Sequence, residues 1–182
     1  MSSHDPFTHS VNVRTLPRKG RDEAYEPDEA TRAAIARQLD VTAVRSAKFT
    51  AQIAPWKRDG IRVEGRVEAD LEQACSVSLE PIDTRIDEPF AMLLVPEGSK
   101  LAAPPPEPGQ GENELVLNAY GEDPPETFSG DTIDLAEIWL EFLTLAVDPF
   151  ARAPDAKLPV ESQDARPSPF AALSALKPAN DA

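Results

Sequence analysis

Residues Ile61 to Ala69 alternate without a fault, and no other stretch narrows the fold as much. Ile61, Val63, Val67 and Ala69 fall on one side; Arg62, Glu64, Arg66 and Glu68 fall on the other. A period of two is the mark of a strand with one buried and one solvated face. Such a strand belongs to a sheet whose apolar side needs a cover. Gly65 sits in the inward phase, where a missing side chain marks a bulge or a close approach of other atoms.

The alternation extends in both directions. From Val41 to Ile53 the odd positions Val41, Ala43, Ala47, Phe49, Ala51 and Ile53 are apolar, with Val44 and Arg45 out of step. Pro55 to Gly60 supplies a turn, in which Asp59-Gly60 is expected to carry the positive φ. Pairing across that turn sets Ile53 opposite Ile61 and Lys48 near Arg66. Leu71, Cys75, Val77 and Leu79 continue the odd phase until Pro81 ends the strand. Ile82, Thr84 and Ile86, then Phe90, Met92 and Leu94, predict a further strand interrupted at Glu88-Pro89 and closed by Pro96. His9 to Val13 reads as a short first strand, Leu16 to Gly20 as a turn, and Glu114 to Tyr120 as an edge strand.

Two segments change period. Asp28 is a fitting N-cap for a helix to about Leu39, with Thr31, Ile35 and Leu39 on one thin apolar stripe. Asp134 opens a stronger one, because Leu135, Ile138, Trp139, Phe142, Leu143 and Ala146 share one face. Asp134 and Glu137 have capping-box spacing, and Asp148-Pro149 stops the helix. The expected fold is α+β: a twisted antiparallel sheet or partly closed barrel with an N-terminal helix and a covering C-terminal helix. One domain spans residues 9–150. Residues 1–8 and 151–182 read as flexible ends, and 97–113 as a mobile loop rich in Pro and Gly.

Charge is unevenly placed. Residues 1–66 hold 12 Lys and Arg against 9 Asp and Glu, whereas residues 67–182 hold 6 against 23. No basic residue lies between Lys100 and Arg152. An acidic field repels phosphates, so direct RNA contact must use the N-terminal third. There, Lys48, Lys57, Arg58, Arg62 and Arg66 surround Trp56 on the expected hairpin, the arrangement that phosphate contact with base stacking requires. Glu64 and Glu68 are interleaved among them, as on an ordinary solvated strand. Phe170, Leu173 and Leu176 form a short apolar motif in the tail, suited to a partner groove or to docking on its own domain.

The chain contains one cysteine, Cys75, and two histidines, His4 and His9. A single thiol allows no internal disulfide and fits a reducing compartment. The start of the chain has no secretory signal pattern, and no run has the ~18–20 apolar residues that a membrane span needs. Cys75 falls in the inward phase, as a small apolar residue would. There is no Walker motif, no dinucleotide fingerprint and no supported Ser-His-Asp pattern. No catalytic residue, metal ligand set or cofactor is expected.

Several stretches together resemble the YceD family of large ribosomal RNA subunit accumulation proteins. They are Val63 to Val67, Cys75 to Pro81, Asp87 to Phe90, Ile133 to Leu135, and Leu145 to Phe150. Gly65, Cys75, Leu79, Pro81, Asp134 and Pro149 are the motif positions. Arg166 to Leu173 looks like the tail of the family's α-proteobacterial branch. The resemblance implies a cytoplasmic, non-catalytic factor for accumulation or processing of 23S ribosomal RNA, with RNA or a basic ribosomal or processing protein as partner. Relatives with Cys-x-x-Cys-Leu suggest metal binding, but Ser78 stands here in the second cysteine position and no thiol follows Leu145. Structural zinc needs four Cys or His ligands, so that site is not expected. An acidic, chaperone-like adaptor without an RNA role is the alternative.

Overall fold

The computed structural model describes residues 7–102 and 124–157. Its centre is a run of three long antiparallel strands: β3 (Ala43–Trp56), β4 (Gly60–Ala74) and β5 (Pro81–Pro96). β2 (Arg21–Tyr25) extends one edge and β6 (Glu126–Phe128) the other, giving the order β2-β3-β4-β5-β6. β6 runs parallel to β5, so the sheet is mixed, and it stays open rather than closing into a barrel. A second, two-stranded sheet pairs β1 (Ser10–Asn12) with β7 (Thr132–Asp134). The helices are α1 (Glu29–Leu39) and α2 (Leu135–Ala146).

Both helices begin where capping chemistry predicts. Asp28 accepts from the Thr31 N–H at 2.8 Å. Asp134 accepts from the Ala136 N–H at 2.9 Å and also from the His9 N–H at 2.8 Å. The Leu135 N–H donates in turn to the His9 carbonyl. One carboxylate therefore starts α2 and ties the N-terminal strand to it. His9 also packs against Tyr25 and Trp139, and its Nε2 lies 3.0 Å from Glu23 Oε2. Phe7 stacks on Tyr25 and Phe49.

The core joins sheet to helix through aromatic rings. Trp139, Phe49, Ile53, Val63, Val67, Leu71, Leu135 and Leu143 are fully buried in one cluster that also includes Ile35 of α1. Trp139 stacks on Phe49, and its indole N–H donates to the Thr50 carbonyl at 3.3 Å. That carbonyl leans into the space beside Gly65. A Cβ at Gly65 would lie 2.0 Å from the Thr50 oxygen and 2.8 Å from the Phe90 ring. Phe90 in turn stacks on Phe142 of α2. Gly65 thus marks a close approach, and its empty side-chain position is where sheet and helix interlock.

Several expectations change. The β3–β4 register sets Ile53 opposite Val63, two residues from the anticipated pairing, so Lys48 faces Glu68 and Arg66 faces Thr50. The faces are unaffected because the slip is even. The positive φ in the turn belongs to Lys57, not to Gly60. Gly60 is needed for a different reason, since a Cβ there would meet the Trp56 ring at 2.6 Å. A register shift between Val44 and Ser46 accounts for the pair out of step, burying Val44 and exposing Arg45. β4 ends at Ala74, and Cys75 to Glu80 form a tight loop closed by the Cys75 N–H donating to Glu80. Leu79 is accordingly exposed with φ 62°, and Pro81 opens β5 instead of ending β4. Glu88-Pro89 does not interrupt β5. β2 carried no apolar alternation and was not anticipated. The expected strand at 114–120, most of the 97–113 loop and the tail motif lie outside the described residues.

Two consequences are measurable. Gly65→Ala is expected to cost about 3 kcal/mol in urea unfolding by pushing the Thr50 carbonyl and Phe90 ring aside. Trp139→Phe is expected to cost about 1.5 kcal/mol through the lost indole donor. Because both act on the same carbonyl, the double variant should fall short of additivity; full additivity would contradict the interlock. The second consequence concerns acid. Thr31 donation lowers Asp28, and Ser46 donation followed by Arg85 lowers Asp70, relative to ordinary carboxylates. Their stabilisation is complete above the ordinary carboxylate range and is lost as pH falls through the lowered values. Replacing both with Asn should flatten the acid limb of the stability profile.

Candidate nucleic-acid interface

The solvated face of the sheet displays the anticipated basic residues, but each strand arginine meets an acid. Alternation along β4 directs Arg62 and Arg66 to this face together with Glu64, Glu68, Asp70 and Glu72. Arg62 Nη2 lies 2.5 Å from Glu64 Oε1. Arg66 is hydrogen-bonded to Asp87 across the β4–β5 ladder, which raises its pKa further. Arg45 bridges Glu72 at 2.5 Å and Asp83 at 3.2 Å, and Arg85 reaches Asp70 at 3.1 Å. Lys48 stands opposite Glu68. Solvent-screened pairs like these contribute little to stability. Their larger effect is to cancel the positive potential that phosphates would follow.

The hairpin tip differs. Lys57 and Arg58 are exposed at the turn beside a half-buried Trp56. Lys57 Nζ lies 4.1 Å from the Trp56 ring centroid, a cation–π contact, while Gly60 packs against the ring. The indole is thereby engaged within its own turn. Of the six RNA-contact candidates, Trp56, Lys57 and Arg58 group at the tip, and Arg62 shares a hollow with Trp56 although Glu64 engages it; Lys48 and Arg66 lie farther along the strands beside acids. Phe170, Leu173 and Leu176 lie outside the described residues.

The motif positions occupy structural joints. Gly65 admits the Thr50 carbonyl, Pro81 opens β5, and Asp134 caps α2. The stretch Cys75 to Pro81 meets the stretch Leu145 to Phe150 although about seventy residues separate them in sequence. Gln73 Nε2 donates to the Asp148 carbonyl at 3.1 Å, the Ser76 hydroxyl donates to the Phe150 carbonyl at 3.2 Å, and the Ser76 N–H donates to Ala151. Pro149 lies on this exposed corner. Leu79, Leu145 and Phe150 are 78%, 74% and 75% exposed, so the large apolar side chains of these motifs face solvent.

A second surface had no clear local motif. Two adjoining hollows of about 410 and 450 Å³ lie between β5, β6 and α2 and share Met92, Glu126 and Glu141. Asp134 and Glu137 line the first, and Trp56, Phe142 and Arg62 line the second. The only sequence signal for it was the base-free stretch from Lys100 to Arg152.

Cys75 is fully buried. Donation from the Ser78 hydroxyl, then from the backbone N–H groups of Ser78, Ala153 and Val77, lowers its thiol to about 6 despite burial. Among the described residues no three His, Cys, Asp or Glu side chains converge as a metal site. The acidified thiol is enclosed by the loop that acidifies it. Iodoacetamide at about pH 8 should therefore leave Cys75 intact in the native protein and alkylate it in urea. Rapid native alkylation would show that the loop opens.

The family model of large ribosomal RNA subunit accumulation protein YceD matches residues 63–177, more than half of the chain. No curated protein and no solved structure matches significantly. The match takes in β4 from Val63 onward with Gly65, the Cys75 loop, β5, α2 and its capping Asp134. This chain belongs to the YceD family of large ribosomal RNA subunit accumulation proteins.

Proposed function

We propose that this protein is a non-catalytic ribosome-biogenesis factor that supports accumulation or processing of large-subunit (23S) ribosomal RNA in the cytoplasm. The family match over residues 63–177 carries the reading. The distribution of charge favours action through a basic protein of the large subunit or its processing machinery over a broad grip on RNA. The strand arginines are paired with acids, and residues beyond 66 carry 23 acids against 6 bases. Basic ribosomal proteins are complementary to such a surface, and charge complementarity accelerates and orients their encounter. Among the described residues no helix is long and apolar enough to cross a membrane. The tip group Trp56, Lys57 and Arg58 supports a narrower second reading, contact with a single exposed stretch of RNA.

The ratio of mature 23S to 16S ribosomal RNA, with precursor ends mapped in cells lacking the protein, tests the role. A selective fall in 23S or a build-up of its precursor is expected. The wild-type gene should restore the ratio, and so should Lys57→Glu with Arg58→Glu if a protein is the partner. Failure of that variant alone would transfer the reading to RNA contact at the tip. An unchanged ratio in the deletion would overturn the ribosomal role and leave an acidic adaptor.

A further inference from the structure

Among the described residues, the hollows beside α2 contain an unpaired strand edge. β6 pairs β5 only from Leu94 to Pro96, and among the described residues no strand pairs the outer edge of β5 before Leu94. The Leu94 carbonyl lies against Gly60 of β4, so Leu94 and Met92 direct their backbone groups inward to the ladder. Alternation then directs those of Ala91 and Leu93 outward. Pro89 has the same parity, so its missing N–H falls on the open edge and the β4 ladder is intact.

The side chains around this edge differ in kind on its two sides. On the helix side lie Met92 and Phe142, with Glu141, Glu137 and Glu126 around them. On the other side lie Leu93 and Trp56. Arg62 is the one basic residue lining the hollows among the described residues, and Glu64 engages it. An added strand would therefore meet apolar surface with an acidic rim on one face and apolar surface on the other. Long cationic side chains suit the first face, with stems on Met92 and Phe142 and heads at the glutamates. Apolar side chains suit the second.

We propose that the groove between the outer edge of β5 and α2 takes an extended segment of a partner protein in which Lys or Arg alternates with apolar residues. Backbone pairing to Ala91 and Leu93 supplies affinity, and the alternation supplies specificity. The inference rests on the proposed reading that a basic protein is the partner, and it specifies the segment such a partner presents.

The test uses the full-length protein and a labelled twelve-residue peptide of alternating Lys and Val, read by fluorescence anisotropy. Saturable binding is expected, at least about tenfold tighter than that of a Lys-block, Val-block peptide of equal composition. Glu126→Lys with Glu141→Lys should weaken it about tenfold or more, as should Ala91→Pro, which removes an edge donor outside the ladder. Lys57→Glu with Arg58→Glu should not weaken it. Thermal melts of each variant separate lost binding from lost folding, and Glu126→Lys with Glu141→Lys carries the test if Ala91→Pro unfolds. Equal affinity for the two peptides, or insensitivity to both groove variants, overturns the proposal. So does binding that emerges only after deletion of residues 112–121, which would assign the edge to a segment of this chain. A deletion strain with normal 23S ribosomal RNA would defeat the ribosomal reading while leaving this peptide result standing.

Discussion

The hydrogen bond from the Trp139 indole to the Thr50 carbonyl fixes how the two layers of this protein meet. It requires three things at once: a helix face that presents the indole, a backbone oxygen tilted out of its strand, and no Cβ at Gly65. Phe49 stacks on one part of the assembly, and Phe90 carries it to Phe142. A helix packed on a sheet by apolar area alone can slide, because burial is non-directional. A directed bond into a glycine-sized notch sets position and rotation together. The seating of α2 in turn places Glu137 and Glu141 along the acidic hollows.

Periodicity made the inner layer legible. Fault-free alternation in β4 and the stripe from Leu135 to Ala146 anticipated strand, helix and the inward faces, and Asp28 and Asp134 marked both helix starts. What escaped has physical causes. β2 is an edge strand, Arg-Asp-Glu-Ala-Tyr, held to β3 by backbone pairing, so its side chains leave no apolar signal. The Cys75–Leu79 stretch kept the phase of a strand because a tight loop can bury Cys75 and expose Leu79 irrespective of parity. Pro89 reads as a breaker because sequence does not reveal which edge of a strand is open. The hairpin register slipped by two because Trp56 and Gly60 pair across the turn at Lys57 to Asp59.

Charge on the surface was readable in amount but not in pairing. The sequence contains Arg62 and Arg66 near Trp56, and a linear reading groups them as a basic patch. Folding brings Asp87 from the next strand against Arg66, and Asp70 against Arg85. A sheet face interleaves charges from strands distant in sequence, so a local excess of bases need not survive as a field. The acidic stretch is a different case. Its described members cluster at β6, β7 and α2; Arg14 pairs with Asp131, but Arg62 is engaged by Glu64, and among the described residues Glu126, Glu137 and Glu141 at the hollows have no ion-pair partner. Among the described residues, an acidic rim without ion-pair partners over an open strand edge is the asymmetry that distinguishes one side of the sheet from the other.

Site-specific photocrosslinking in living cells, with the probe at Leu93 in one strain and at Arg58 in another, tests the functional account most directly. The account predicts that Leu93 forms ribonuclease-resistant adducts with a basic protein of the large ribosomal subunit or its processing machinery, and that Arg58 does not. Ribonuclease-sensitive adducts at Arg58, with none at Leu93, would contradict it.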